Sequence, residues 1–139
     1  DCALALLKAG AAVNATTNEG YTALMLAAQS GHVTFTRALL QAGASIDATN
    51  THGTTSLMFA ALHGHEDCVS ALTHAGANVD RALASGHTAM IVAAQNGHHA
   101  TVSVLVEAGA DAEKTTSEGD TAFSLACQRG HEYTALVLL

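Results

Sequence analysis

Nine histidines, three cysteines and twelve carboxylates are the side chains of this 139-residue chain that could carry chemistry. His63 and His65 flank Gly64, and His98 and His99 are adjacent, spacings that invite a metal or proton-transfer reading. Zinc, however, needs three or four ligands about 2 Å from one ion. His32, His65, His98 and His131 each follow a glycine at intervals of 33 residues, so they fall in equivalent places of successive units and do not converge on one point. Asp111, Glu113, Glu118 and Asp120 crowd a short segment, where the expectation is a solvated acidic face. The chain has no glycine-rich phosphate loop, no serine nucleophile elbow and no acid–base pair in a fixed motif. No catalytic, cofactor-binding or metal-binding residue is therefore expected, and no cofactor.

The cysteines point to a reducing, intracellular and cytoplasmic setting. Cys2 and Cys68 lie two 33-residue periods apart, and Cys127 falls in a different element. With stacked helices about 8–10 Å apart, Cys2 and Cys68 exceed the ~7 Å limit for a disulfide, and all three are expected to be inert core residues. Five lysines and arginines against twelve acids give a net charge of −7, which works against binding a phosphate backbone; nucleic acid is not an expected partner. The apolar share is 49% with 12% charged, but the apolar residues are mostly Ala and Leu at helical spacing and never run to the length of a membrane span. Neither membrane insertion nor a signal peptide is read from the chain.

The elements that would position these residues are written four times. Gly20, Gly53, Gly86 and Gly119 are 33 residues apart, as are Thr22, Thr55, Thr88 and Thr121. The Gly-His pairs at 31–32, 64–65, 97–98 and 130–131 keep step, and Ala-Gly-Ala recurs at 9–11, 42–44, 75–77 and 108–110. Each threonine suits the N-cap of a short helix, whose stop is the glycine of the Gly-His pair. A second helix follows, spanning about Val33 to Gln41 in the first full copy and burying Phe35, Ala38 and Leu39 beside Leu40. Its counterparts bury Cys68, Val69 and Leu72, then Val102 and Leu105, then Leu136 and Leu138; Thr73 breaks the Leu-Leu pair seen at Leu39-Leu40. Phe123, Ala126 and Cys127 belong to the same framework. Residues 1–9 read as the later part of a second helix, with Cys2, Ala3, Leu6 and Leu7 on one face and Gly10 as its stop. Both this opening and the closing Ala135 to Leu139 are interior in type, so the ends are expected to fray and to self-associate weakly end to end.

From end to end the chain resembles the ankyrin repeat family, whose 33-residue unit is a turn followed by two antiparallel helices. The resemblance implies an all-α solenoid of stacked helix pairs joined by β-hairpin-like loops, the fingers. It sets a partial repeat at 1–16, repeats at 17–49, 50–82 and 83–115, and an incomplete one at 116–139, a piece of a longer protein. Every copy departs from the family's Thr-Pro-Leu-His run: Thr22-Ala23-Leu24-Met25, Thr55-Ser56-Leu57-Met58, Thr88-Ala89-Met90-Ile91 and Thr121-Ala122-Phe123-Ser124. The missing prolines should cost about 0.4–1 kcal/mol per copy, and the missing histidines remove a hydrogen bond usual in this loop. In the third finger Leu83 stands where the others have Thr17, Asn50 and Thr116, either as a packing anchor or as part of a binding surface. Asn14 falls where some members are hydroxylated by an asparaginyl hydroxylase, although Asp47 and Asp80 occupy the matching positions.

With the framework subtracted, the positions that change between copies are the candidate protein-binding residues, expected on the concave surface. They are Asn18, Glu19, Tyr21 and Gln29; Thr51, His52, Thr54 and His63; Ser85, His87, Gln95 and Asn96; and Glu118, Asp120 and Arg129. Ser30, Leu62, Ala84, Ser117 and Gln128 vary in the same register. Tyr21 is the one aromatic among them. The expected function is a scaffold that binds another intracellular protein without catalysis; the alternative is a regulatory or targeting segment of a larger enzyme or channel.

Overall fold

The structure, a computed structural model, describes residues 12–139. The opening helix read over residues 1–9, with Cys2, Ala3, Leu6, Leu7 and Gly10, lies outside the described residues. Over the described residues the fold is all-α: eight helices and one isolated antiparallel bridge, Ala82 with Thr88. In chain order they are α1 (Ala23–Ser30), α2 (Val33–Gln41), α3 (Ser56–Leu62), α4 (Glu66–His74), α5 (Ala89–Gln95), α6 (His99–Glu107), α7 (Ala122–Gln128) and α8 (Glu132–Leu138). The odd-numbered helices pack on one another in sequence, as do the even-numbered ones, giving two layers along one axis.

Local chemistry sets the boundaries. Thr22, Thr55, Thr88 and Thr121 hold extended backbone, and their hydroxyls accept from the N–H of Met25, Met58, Ile91 and Ser124 at 3.2, 3.3, 3.3 and 3.1 Å. Such caps are worth about 1 kcal/mol each. Each odd helix ends at the glycine of a Gly-His pair, where φ lies between 69° and 75°.

The inner faces are small and apolar. Leu24, Ala27 and Ala28, then Leu57, Ala60 and Ala61, then Met90, Ala93 and Ala94 are all buried. The second-helix layer contributes Leu39, Leu72 and Leu105. The residues standing where the family places histidine turn inward: Met25, Met58 and Ile91 are buried. Burying a large apolar side chain gains about 1.5–3 kcal/mol, against about 0.5–1.5 for a net hydrogen bond, so this departure need not weaken the stack. In the fourth copy Ser124 restores a polar solution, its hydroxyl accepting from the Thr121 N–H at 2.9 Å while Thr121 caps it in return.

Three expectations about the core are corrected. In α2 the fully buried pair is Thr36 and Leu39, with Phe35, Ala38 and Leu40 only half-buried. Thr36 tolerates burial because its hydroxyl donates to the His32 carbonyl at 2.9 Å and lies 3.8 Å from the Cys68 sulfur. Cys127 is exposed, not a core residue: it takes the place of Ala28, Ala61 and Ala94, each sealed by the following unit, and no described residue covers α7 on that side. For the same reason Phe123 is 39% exposed where Leu24, Leu57 and Met90 are covered. Leu136 is exposed for a different reason: it stands in register with Arg37, Ser70 and Ser103, none of which is buried, and the buried residue of α8 is Thr134. Cys68 does behave as expected: burial is the main cause that pushes its thiol pKa up, and this outweighs the Thr36 hydrogen bond that lowers it.

Thr73 sits at a half-buried edge, its hydroxyl donating to the Ser70 carbonyl at 3.0 Å, and with Ser70, His74 and Val104 it lines a depression of about 290 Å³. Leu83 is a packing residue, half-buried against the apolar cluster and 4.0 Å from where a Cβ on Gly53 would lie.

Candidate functional site

The fingers are built alike and then decorated differently. Each closes with two backbone bonds: the N–H of Thr17, Asn50, Leu83 and Thr116 donates to the carbonyl of Tyr21, Thr54, His87 and Asp120 at 3.0, 3.2, 2.9 and 2.9 Å, and the N–H of Gly20, Gly53, Gly86 and Gly119 returns to the first residue's carbonyl at 2.9, 3.0, 2.8 and 2.9 Å. In three of them the first residue also supplies a side-chain acceptor. Thr17 takes the Tyr21 N–H, Asn50 takes those of His52 and Thr54, and Thr116 takes those of Glu118 and Asp120. Leu83 cannot do this; its finger is held by packing and by a 2.9 Å contact between the Ser85 hydroxyl and His87 Nδ1. Adjacent fingers are tied through Thr51 N–H to the Glu19 carbonyl and Ser117 N–H to the Ser85 carbonyl.

A second tie runs beneath them. The side-chain oxygens of Asn14, Asp47 and Asp80 accept the backbone N–H of Ser45, Asn78 and Asp111 in the next unit at 2.8, 2.9 and 2.8 Å. Asn14, the residue matching a family modification site, is thus engaged in holding two units together, with its Nδ2 3.4 Å from the Gly43 carbonyl.

The repeated histidines also hold the stack. Nε2 of His65, His98 and His131 meets the carbonyl of Gln29, Leu62 and Gln95 in the preceding unit at 3.0, 2.9 and 3.1 Å. The ring lies over the glycine of that unit so closely that a Cβ on Gly31, Gly64 or Gly97 would fall 2.7, 2.5 or 2.7 Å from Nδ1. Nε2 of these residues is thus spent on the interface, and Nδ1 faces the glycine of the preceding unit. Among the described residues no group of three or more His, Cys, Asp or Glu could hold a metal ion. Ser70 and His74 form a pair within α4, Oγ to Nδ1 at 3.3 Å, but Nδ1 is also 2.7 Å from the Ser70 carbonyl, a helix-local bond that gives no activated nucleophile.

The fifteen candidate residues all remain accessible. Asn18, Glu19, Thr51, His52, His63, Ser85, Asn96, Glu118 and Arg129 are exposed; Tyr21, Gln29, Thr54, His87, Gln95 and Asp120 are half-buried. In the first unit finger and helix share one surface: Thr17, Asn18, Glu19, Tyr21, Leu26 and Gln29 line a depression of about 490 Å³. Four of the fifteen carry internal side-chain bonds, Ser85 and His87 with each other, and Asp120 and Asn96 within their own units. Asp120 accepts from Gln128 Nε2 at 3.0 Å and Ser124 Oγ at 3.3 Å, and Asn96 donates to the Val92 carbonyl at 2.8 Å.

Two contributors escape a subtraction of the framework. The Tyr21 ring packs on Phe59 with centroids 5.5 Å apart, and Leu26, in the place equivalent to Phe59, is 48% exposed. Their register position is apolar in every copy (Leu26, Phe59, Val92, Leu125), so it reads as core; its variation in size is the signal that it also shapes the surface.

No helix among the described residues is long and apolar enough to cross a membrane. No curated protein matches the chain. The family model of ankyrin repeats in three copies matches residues 1–83 and 76–139, and the chain belongs to the ankyrin repeat family. Ankyrin repeats are protein–protein interaction modules.

Proposed function

We propose that this ankyrin-repeat chain binds another protein through the concave surface formed by its fingers and first helices, and that it does no catalysis of its own. One observation carries the reading: each of the fifteen positions that vary between units is accessible, while the invariant Thr, Gly and His positions are spent on caps, turns and unit-to-unit bonds. Units 17–49, 50–82, 83–115 and 116–139 then act as successive segments of one binding strip. Tyr21 is its aromatic anchor. In a pull-down, the parent chain should retain a partner protein that the triple variant Tyr21→Ala, His52→Ala, His87→Ala loses, Tyr21→Ala alone weakening binding by about 1 kcal/mol or more. A partner that binds the triple variant as tightly as the parent refutes this surface.

The exposure of Phe123, Leu136 and Leu139 favours a second contact, a weak association of two copies through the outer face of the last unit. At the Phe123 position the earlier units hold Leu24, Leu57 and Met90, all buried, so a second copy would bury there what the stack buries elsewhere. Light scattering should show mass rising with concentration, and one added polar capping repeat should abolish the rise. A strictly monomeric chain at high concentration rules it out.

A further inference from the structure

We infer that the partner presents an extended segment in which a bulky apolar side chain and a Lys or Arg stand about five or six residues apart, and that the finger surface reads these two groups at opposite ends. The inference rests on the concave-surface reading above. Four register rows cross the surface, and their chemistry changes along the stack. The row that starts at Tyr21 continues Thr54, His87, Asp120; the row that starts at Glu19 continues His52, Ser85, Glu118. A third reads Gln29, Leu62, Gln95, Gln128, so one leucine interrupts a row of amides. The fourth is the apolar row Leu26, Phe59, Val92, Leu125.

In the first two units these rows converge on an apolar patch. Phe59 is only 7% exposed because the Tyr21 ring covers it, and Leu62, one helical turn further along α3, is 40% exposed. An apolar group laid between Tyr21 and Leu62 would desolvate both, with Gln29 and Gln95 holding the Leu62 position in the units on either side. In the fourth unit the same rows end in two carboxylates, Asp120 half-buried and Glu118 exposed, and nothing lies within 4 Å of where a Cβ on Gly119 would stand between them. Asp120 is oriented by Ser124 and Gln128. Arg129, the one cation among the candidate residues, caps the far end of α7, about 10 Å along the helix from this finger.

The spacing follows from the stack. The patch belongs mainly to the second unit and the carboxylates to the fourth. Two steps of about 8–10 Å each are spanned by five or six residues of extended chain at about 3.3 Å per residue.

A randomised dodecapeptide display library, panned against the chain, supplies the probe. The expected consensus is Phe, Leu, Ile or Met with Lys or Arg five or six residues away, in either direction. Two variants separate the determinants. Leu62→Gln installs the residue that the other three units already carry and should erase the apolar preference, lowering affinity of the winning peptide by tenfold or more while leaving the thermal midpoint in place. Glu118→Lys with Asp120→Asn should erase or invert the basic preference and remove the salt dependence of binding. Peptides that are lost with Tyr21→Ala but show no paired consensus overturn this inference and leave the concave-surface reading standing. Peptides indifferent to Tyr21→Ala, Leu62→Gln and the Glu118 pair overturn both.

Discussion

Two ladders climb this molecule, and they differ in what they repeat. On one, His65, His98 and His131 close over Gly31, Gly64 and Gly97 and bond the carbonyl behind, with the same atoms at nearly the same distances each time. On the other, Tyr21, Thr54, His87 and Asp120 occupy one register position with four unrelated chemistries. A residue that must meet its neighbour's backbone in every unit has no freedom to vary; a side chain directed to solvent keeps it. The difference teaches that in a stack of this kind identity marks the joint and variation marks the surface, so histidines that look like a metal site are structural while scattered polar residues are the functional candidates.

The joint should break hard. Gly64→Ala meets two penalties, a left-handed backbone at φ 69° and a Cβ that would fall 2.5 Å from His98 Nδ1. A loss of about 3 kcal/mol in urea unfolding is expected, combining the left-handed cost with displacement of the histidine and its hydrogen bond. Gly76→Ala provides the contrast. It has a similar conformation at φ 95° but nothing within 4 Å, so only the backbone cost of about 1–2 kcal/mol should appear. Equal losses at both positions would mean that the histidine contact carries no weight. His98→Ala removes the bond to the Leu62 carbonyl without adding strain, and should cost about 1 kcal/mol by the same assay.

A smaller change sharpens the frame from the other direction. Ser56 is the first helical residue after a cap in extended backbone, φ −96° and ψ 167°, which is the conformation required ahead of a proline. Its buried hydroxyl has no hydrogen-bond partner. Ser56→Pro should therefore raise stability by about 0.5–1 kcal/mol, and by more than Ala23→Pro, where no unpaired hydroxyl is removed. A fall in the thermal midpoint would move the helix start. At the small end, His52→Ala and His87→Ala lie on the variable ladder and should shift stability by no more than about 0.5 kcal/mol.

The framework was legible because its causes are local. A threonine caps, a glycine adopts positive φ, and Leu and Ala recur at helical spacing; each acts within one unit and is written four times. Contacts made between units were harder to read. That His98 reaches the Leu62 carbonyl, or that Asp47 takes the Asn78 N–H, follows only when one unit is laid on the next. Two of the misread residues share this origin. Cys127 and Phe123 carry framework identities, but framework residues are buried only where a neighbour lies against them, and no described residue covers α7 on that side. Phe35 and Ala38 fail for a separate, local reason: Thr36 takes the buried place beside Leu39 because its own helix supplies the acceptor at His32. Phe59 was subtracted as core because its row is always apolar, although Tyr21 makes it part of the surface.

The most direct test of this division of labour is amide hydrogen exchange on the chain alone and with a captured protein partner. Bound protein should slow exchange at the finger segments 18–21, 51–54, 84–87 and 117–120, leaving the second helices at 37–41, 70–74 and 103–107 unchanged. Protection confined to those second helices, with the fingers exchanging as in the free chain, would contradict the assignment of binding to the variable ladder.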